Sequence, residues 1–227
     1  MQQVAKLWYL EQFNIFKSLS KYEMNEIAEK AIHRQYKKGD PIMFPFNSQK
    51  KVYMLKDGIV KVGNYTENGE ENLKYILPDG TVFGEMALAD GNANDFAVAA
   101  DDILICAIDV DVLQDIMQRN KSFNIAMYKL IGLRLRKIES RLSSIVFKDS
   151  STRIIDFVRD LARDFGKEKE GALVVKNFLT HKDIAKLTFT SRQTVNSVLN
   201  RLKRDGQIDY NERHIRILDL QDSEQAQ

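Results

Sequence analysis

Side chains able to read nucleic acid crowd one stretch near the end of the chain. Thr180, Ser191, Arg192, Gln193, Thr194, Asn196, Ser197, Arg201 and Lys203 all carry hydrogen-bonding groups suited to bases or phosphates. Arginine donates two parallel hydrogen bonds to guanine O6 and N7, and glutamine both donates and accepts at adenine. Val195, Val198, Leu199 and Leu202 recur among them at three- and four-residue spacing, which makes one face of a helix apolar and leaves the other polar. Thr180 to Leu187 reads as a short capped helix with Ile184, Ala185 and Leu187 inward, and Thr188-Phe189-Thr190 as a turn. Ser191 caps the second helix, which Asp205-Gly206 ends. This is a helix-turn-helix pattern, with the second helix as candidate reader of the major groove. Gln207–Tyr210 and His214–Leu218, on either side of Asn211-Glu212-Arg213, read as a β-hairpin wing.

Charge supports the same reading. From His181 to Arg216 eight Lys or Arg stand against four Asp or Glu, on a chain of 227 residues whose formal net charge is only +2. A local excess of this kind neutralises DNA phosphates and makes binding salt-sensitive. Arg201, Lys203 and Arg204 are expected to add affinity rather than sequence choice. The plain alternative is a structural three-helix module with a solvated charged face. The small hydrogen-bonding residues along one face argue against it.

A reader needs elements that hold it. All three prolines and eight of the eleven glycines precede residue 133, so Arg34 to Val110 is built of short pieces separated by turns. Val52–Leu55, Ile59–Val62, Leu73–Leu77 and Ile103–Ile108 are β-type runs, with Asp57-Gly58, Asn68-Gly69 and Asp79-Gly80 as turn signals. Short strands at this spacing predict a β-barrel or sandwich. From about Val112 the period turns helical. Met127, Ile131, Leu135, Ile138, Leu142 and Ile145 form a continuous apolar stripe, and Lys148 to Thr152 ends that helix before another begins at Arg153. The stripe either packs on its own domain or pairs with its copy in a homodimer; the dimer is the sharper expectation.

Other classes fall away. Cys106 is the only cysteine, so neither an intrachain disulfide nor an all-cysteine metal or iron–sulfur site can form, and inside an apolar run it reads as a buried, inert thiol. His181 and His214 lie in the helix-turn-helix segment, which leaves only His33, beside the strand-rich segment, as a candidate haem ligand, and a lone histidine is more often a surface or core residue. No P-loop, GxGxxG, HExxH or nucleophile–histidine motif is present, so an enzyme is the weakest reading. No apolar run is long enough to span a membrane, and the start lacks a signal-peptide layout, so a cytoplasmic protein is expected.

The order of parts resembles the Crp–Fnr family of bacterial transcription regulators, over nearly the whole chain. Lys38-Gly39-Asp40, Leu55 to Val62 and above all Leu77-Pro78-Asp79-Gly80-Thr81-Val82-Phe83-Gly84-Glu85-Met86-Ala87-Leu88 resemble its cyclic-nucleotide-binding signature. Val146 to Asp149 with Arg153-Ile154 resembles its hinge, and Ser191 to Val195 the start of its recognition helix. The resemblance implies an α+β fold: an N-terminal antiparallel β-roll of cupin or jelly-roll type, a long dimerisation helix and a C-terminal winged helix-turn-helix. The expected boundaries are 1–122 for the roll, 123–148 for the helix and hinge, 149–220 for the DNA-binding domain and 221–227 for a polar tail. Double-stranded DNA, a second copy and RNA polymerase are the implied partners. A β-roll sensor acting through protein contacts alone is the rival.

The effector pocket implied by the resemblance holds Gly84, Glu85, Met86, Ala87, Asn94, Asp95 and Glu139. It departs from the cyclic-AMP pattern. Where nucleotide-binding relatives carry an arginine for the phosphate, this chain has Asp95, or Asn94 in the other register, and an aspartate repels a phosphate. The polar pair that touches adenine falls on Ile138 and Glu139. Cyclic AMP is therefore not expected as cofactor, the effector stays unidentified, and Glu85 is expected to serve as a structural carboxylate.

Overall fold

The computed structural model describes residues 10–45, 50–88, 95–169 and 171–218. Asn94 lies outside them, as does the polar tail. The chain forms two compact units, residues 1–138 and 139–227.

The first unit begins with a short 3-10 turn at Asn14–Phe16 and helix α1 (Lys21–Lys30). Ser20 starts α1 through a capping box with Glu23, which leaves neither end of that pair unsatisfied. Eight strands follow: β1 (Ile32–Tyr36), β2 (Pro41–Met43), β3 (Lys51–Asp57), β4 (Val60–Tyr65), β5 (Glu71–Leu77), β6 (Val82–Phe83), β7 (Asp95–Ala99) and β8 (Ile103–Asp109). They pair antiparallel into two four-stranded sheets, ordered β1-β8-β3-β6 and β2-β7-β4-β5. Leu55, Val60, Val62, Leu77, Ile103 and Ile105 fill one core, and alternation along β4 explains why Lys61 turns away while Val60 and Val62 turn in. The four expected runs are β3, β4, β5 and β8. Strands β1, β2, β6 and β7 were not expected.

A second core of the same unit lies under α1, α2 (Val110–Arg119) and the start of α3 (Lys121–Phe147). Phe16 stacks on Phe123 there, and Met54, Ile108, Leu113, Ile116 and Met127 complete it. Met127 corrects the expected dimer stripe: it is 1% exposed in this core and cannot face a second copy. Its neighbour Tyr128 is 66% exposed instead, in line with exposed Ile131, Leu135, Ile138 and Leu142 and half-buried Ile145. From Tyr128 the steps of three and four alternate strictly, which is the coiled-coil repeat. Cys106 is buried, as expected.

In the second unit α4 (Ser150–Phe165) starts at Ser150 rather than Arg153, because Asp149 accepts a hydrogen bond from Thr152 N at 2.7 Å and caps it. That bond holds the Asp149 carboxyl below its ordinary pKa. Strands β9 (Lys167–Lys169) and β10 (Ala172–Lys176), which were not expected, join β11 (Ile208–Tyr210) and β12 (His214–Ile217) in one antiparallel sheet, ordered β11-β12-β10-β9. Helices α5 (His181–Thr188) and α6 (Arg192–Arg204) lie between them in sequence. The two compact units divide inside α3, between Ile138 and Glu139. Among the described residues no helix is long and apolar enough to cross a membrane.

Candidate nucleic-acid interface

Local chemistry sets both helices of the reader. Thr180 caps α5 through a box with Asp183: Asp183 N–H donates to the Thr180 hydroxyl at 3.1 Å, and Thr180 N–H to the Asp183 carboxylate at 2.9 Å. Ser191 caps α6, accepting from Thr194 N–H at 3.0 Å, and its hydroxyl meets that of Thr194 at 2.8 Å. Ile184, Ala185 and Leu187 on α5, with Val195, Val198, Leu199 and Leu202 on α6, are buried together as the spacing predicts. Burying one such aliphatic side chain contributes roughly 1.5–3 kcal/mol, so rotating α6 to hide its polar face would cost several times a cap.

The polar face of α6 is therefore held outward. Arg192, Gln193, Asn196, Ser197 and Arg201 are exposed, and Thr194, half-buried, belongs to the cap. Arg192 stands at the first helical position, next to the cap. His181 sits close enough that burial first, and then the Arg192 charge, hold its pKa below the ordinary histidine value. Lys203 departs from expectation. Its ammonium binds Asp209 at 2.8 Å and the Tyr210 carbonyl at 3.1 Å, and lies 5.4 Å from the centre of the Tyr210 ring. Tyr210 OH in turn donates to Asn200 Oδ1 at 2.9 Å. Lys203 thus ties the wing to α6, a job that competes with binding phosphate. The sequence reading missed Asp209, Tyr210 and Asn200 in this role. Asn200 lies four residues from Asn196, a helical spacing that signals proximity.

In the first unit, Gly84 adopts a φ of +80°, and a Cβ there would lie 2.7 Å from the Lys51 carbonyl oxygen. Only glycine fits, and it sets up the 3-10 turn Glu85–Leu88 that includes Met86 and Ala87. Glu85 is 5% exposed and pairs with Arg134 of α3 at 3.2 Å. Arg134 also donates to the Val82 carbonyl at 3.2 Å and stands 4.7 Å from the centre of the Tyr75 ring. Burial pushes the Tyr75 hydroxyl up to about 12. Asp95 is buried and binds Lys74 at 2.7 Å. Arg134, Tyr75 and Lys74 went unrecognised in the sequence, since nothing local to them signals a partner so distant along the chain. Glu139, assigned to this pocket, is exposed and belongs to the second unit.

Residues 33–120 match the cyclic nucleotide-binding domain family, and residues 152–222 the Crp-like helix-turn-helix domain. The CRP-like cAMP-activated global transcriptional regulator of Mycobacterium tuberculosis is 30% identical over 150 residues, 66% of this chain and 67% of that protein. The chain belongs to the Crp–Fnr family. The global nitrogen regulator of Nostoc sp. is 24% identical over 207 residues, 90% of this chain and 91% of that protein. The structure of FixK2 from Bradyrhizobium japonicum, 19% identical, superposes with a TM-score of 0.73 over 84% of this chain and 93% of its own, a likeness of fold. As a Crp–Fnr member the chain is a DNA-binding transcription regulator with an effector-sensing, cyclic-nucleotide-binding-like domain, and it is not an enzyme.

Proposed function

We propose that this Crp–Fnr regulator works as a homodimer that reads a near-palindromic DNA site with two copies of α6. The observation that carries the reading is the outward face of α6, where exposed Arg192, Gln193, Asn196 and Ser197 follow directly on the Ser191 cap. Two reading helices related by a two-fold axis would enter successive major grooves about 34 Å apart. The exposed stripe Tyr128, Ile131, Leu135, Ile138 and Leu142 supports pairing of α3 with its copy, since an apolar row of this length is costly to leave in water. RNA polymerase is the partner such a regulator would recruit or block, and the cytoplasm is where it would meet both.

The effector is not cyclic AMP in this reading. By the family resemblance Asp95, or Asn94, stands where a phosphate would need a guanidinium, and Asp95 is a carboxylate bound to Lys74 at 2.7 Å. Glu85 acts as a structural carboxylate, held by Arg134. A gel-shift competition tests the whole proposal: a selected site should outcompete random DNA by several orders of magnitude. Equal competition by every sequence would leave only the β-roll acting through protein contacts.

A further inference from the structure

Helix α6 is aimed by the turn that launches it, and that turn begins where α5 ends. A helix end leaves its last carbonyl oxygens without intrahelical partners. The Thr190 N–H returns to Ala185 O at 3.0 Å, and Phe189 closes the helix in the left-handed region at φ +53°, a conformation that a bulky side chain rarely adopts. Two arginines from outside the helix-turn-helix take the carbonyls beyond. Arg153 of α4 donates from Nε to Thr188 O at 2.9 Å and from Nη2 to Phe189 O at 3.0 Å. Arg141 of α3 donates from Nη2 to Leu187 O at 3.1 Å. Within the turn itself, the Thr188 hydroxyl donates to Ile184 O at 2.7 Å and meets the Thr190 hydroxyl at 3.0 Å. A cleft of about 500 Å³ runs along the turn, lined by Arg141, Ser144, Arg153, Phe157, Leu187 and Phe189.

Arg141 is an expensive residue to keep there. Burial pulls its pKa down, against the favourable position of a positive charge at a helix C-terminus. A second, independent fact concerns α3 itself: its last turns, from Glu139 on, belong to the compact unit that contains the reader. We infer that Arg141 is a positioning residue for base reading, which fixes from α3 the turn that sets the aim of α6. Base contacts demand placement within about 0.5 Å, and a donor that pins the launching turn controls that placement without touching a base. The inference rests on α6 being the DNA reader.

The test uses the full chain and a DNA site obtained by randomised selection, with specific and non-specific affinity measured over a range of salt. Arg141→Met keeps the length and loses the donors; Arg141→Lys keeps charge and a donor. With Arg141→Met the ratio of specific to non-specific affinity should fall about tenfold, the loss of one charge-assisted hydrogen bond. The slope of log affinity against log salt should not change, because no phosphate contact is removed. Arg141→Lys should recover most of the ratio. A ratio equal to wild type with only a lower melting temperature would overturn the inference and make Arg141 a structural cap. A shallower salt slope would overturn it too, by making Arg141 a phosphate contact. Should Arg141→Met fail to fold, Arg141→Gln, with a neutral donor, takes its place and faces the same outcomes. A wild-type ratio near one is a separate failure, which sinks the DNA-reading proposal itself.

Discussion

Arg192 is the residue on which sequence choice should depend most. It follows the Ser191 cap directly, and its exposed guanidinium matches guanine O6 and N7. Arg192→Ala should cost about 1–3 kcal/mol of discrimination at one guanine and leave non-specific, salt-dependent binding nearly intact. A randomised-site selection checks it: an unchanged base preference assigns that guanine to another side chain. Gln193 next to it both donates and accepts, which suits adenine. At the sensor, calorimetry with cyclic AMP should show no tight binding, since Asp95 already holds Lys74 at 2.7 Å. Tight binding at physiological salt would mean that this pair opens to admit a phosphate. Residue type and spacing announced Arg192, and the family resemblance pointed to Asp95, or Asn94 in the other register. Nothing in the sequence announced Lys74, Arg134 or Arg141. Each finds its partner far along the chain, and only the fold brings such groups together.

At the scale of elements, the capped helices of the reader were legible because caps and apolar spacing are local chemistry. Thr180 and Ser191 stand where the sequence placed them. Strand β1 was not legible: Ile32, His33, Arg34, Gln35 and Tyr36 show no alternation, and they become a strand by pairing with β8 from Ile32–Ala107 to Tyr36–Ile103. Helix α3 shows a finer limit. Periodicity finds an apolar face but does not say whether it meets the protein's own core or a second copy, and here the two faces adjoin at Met127 and Tyr128. The distinction is measurable. Met127→Asp would bury an unpaired charge in the first unit's core and should cost about 3 kcal/mol or more, enough to populate unfolded chains. Ile138→Asp puts its charge on an exposed position, so the folded monomer should survive while the dimer is lost. Sedimentation separates the two variants; a dimeric Ile138→Asp protein would move the seam elsewhere. Ser191→Ala is a control on the reader, with an expected loss of about 1 kcal/mol in thermal unfolding.

The molecule as a whole is nearly neutral, with a formal net charge of +2, yet its reader carries twice as many basic as acidic groups between His181 and Arg216. Long-range attraction to DNA therefore arises from one unit rather than from the chain at large, and it should weaken steeply with salt. One partly buried histidine makes the reader sensitive to acid. Burial, and then the nearby Arg192 charge, hold the His181 pKa below its ordinary value, so the folded reader resists taking up a proton that the unfolded chain accepts. With the folded pKa depressed, the unfolded state binds more protons as pH falls through about 6.5, and stability must fall with it. The contribution is fully present above the unfolded value and is lost progressively as pH approaches the folded one. Protection of the α5 and α6 amides against hydrogen exchange, corrected for intrinsic rates, should therefore drop between pH 7.5 and pH 5.5. His181→Gln cannot take up the proton, so it should flatten that dependence while leaving protection near pH 7.5 close to wild type. An equal drop in the His181→Gln protein would place the acid sensitivity on another group. Because the proton would sit beside Arg192, specific DNA affinity should follow the same profile, through the stability of the reader rather than through any contact of His181 with a base.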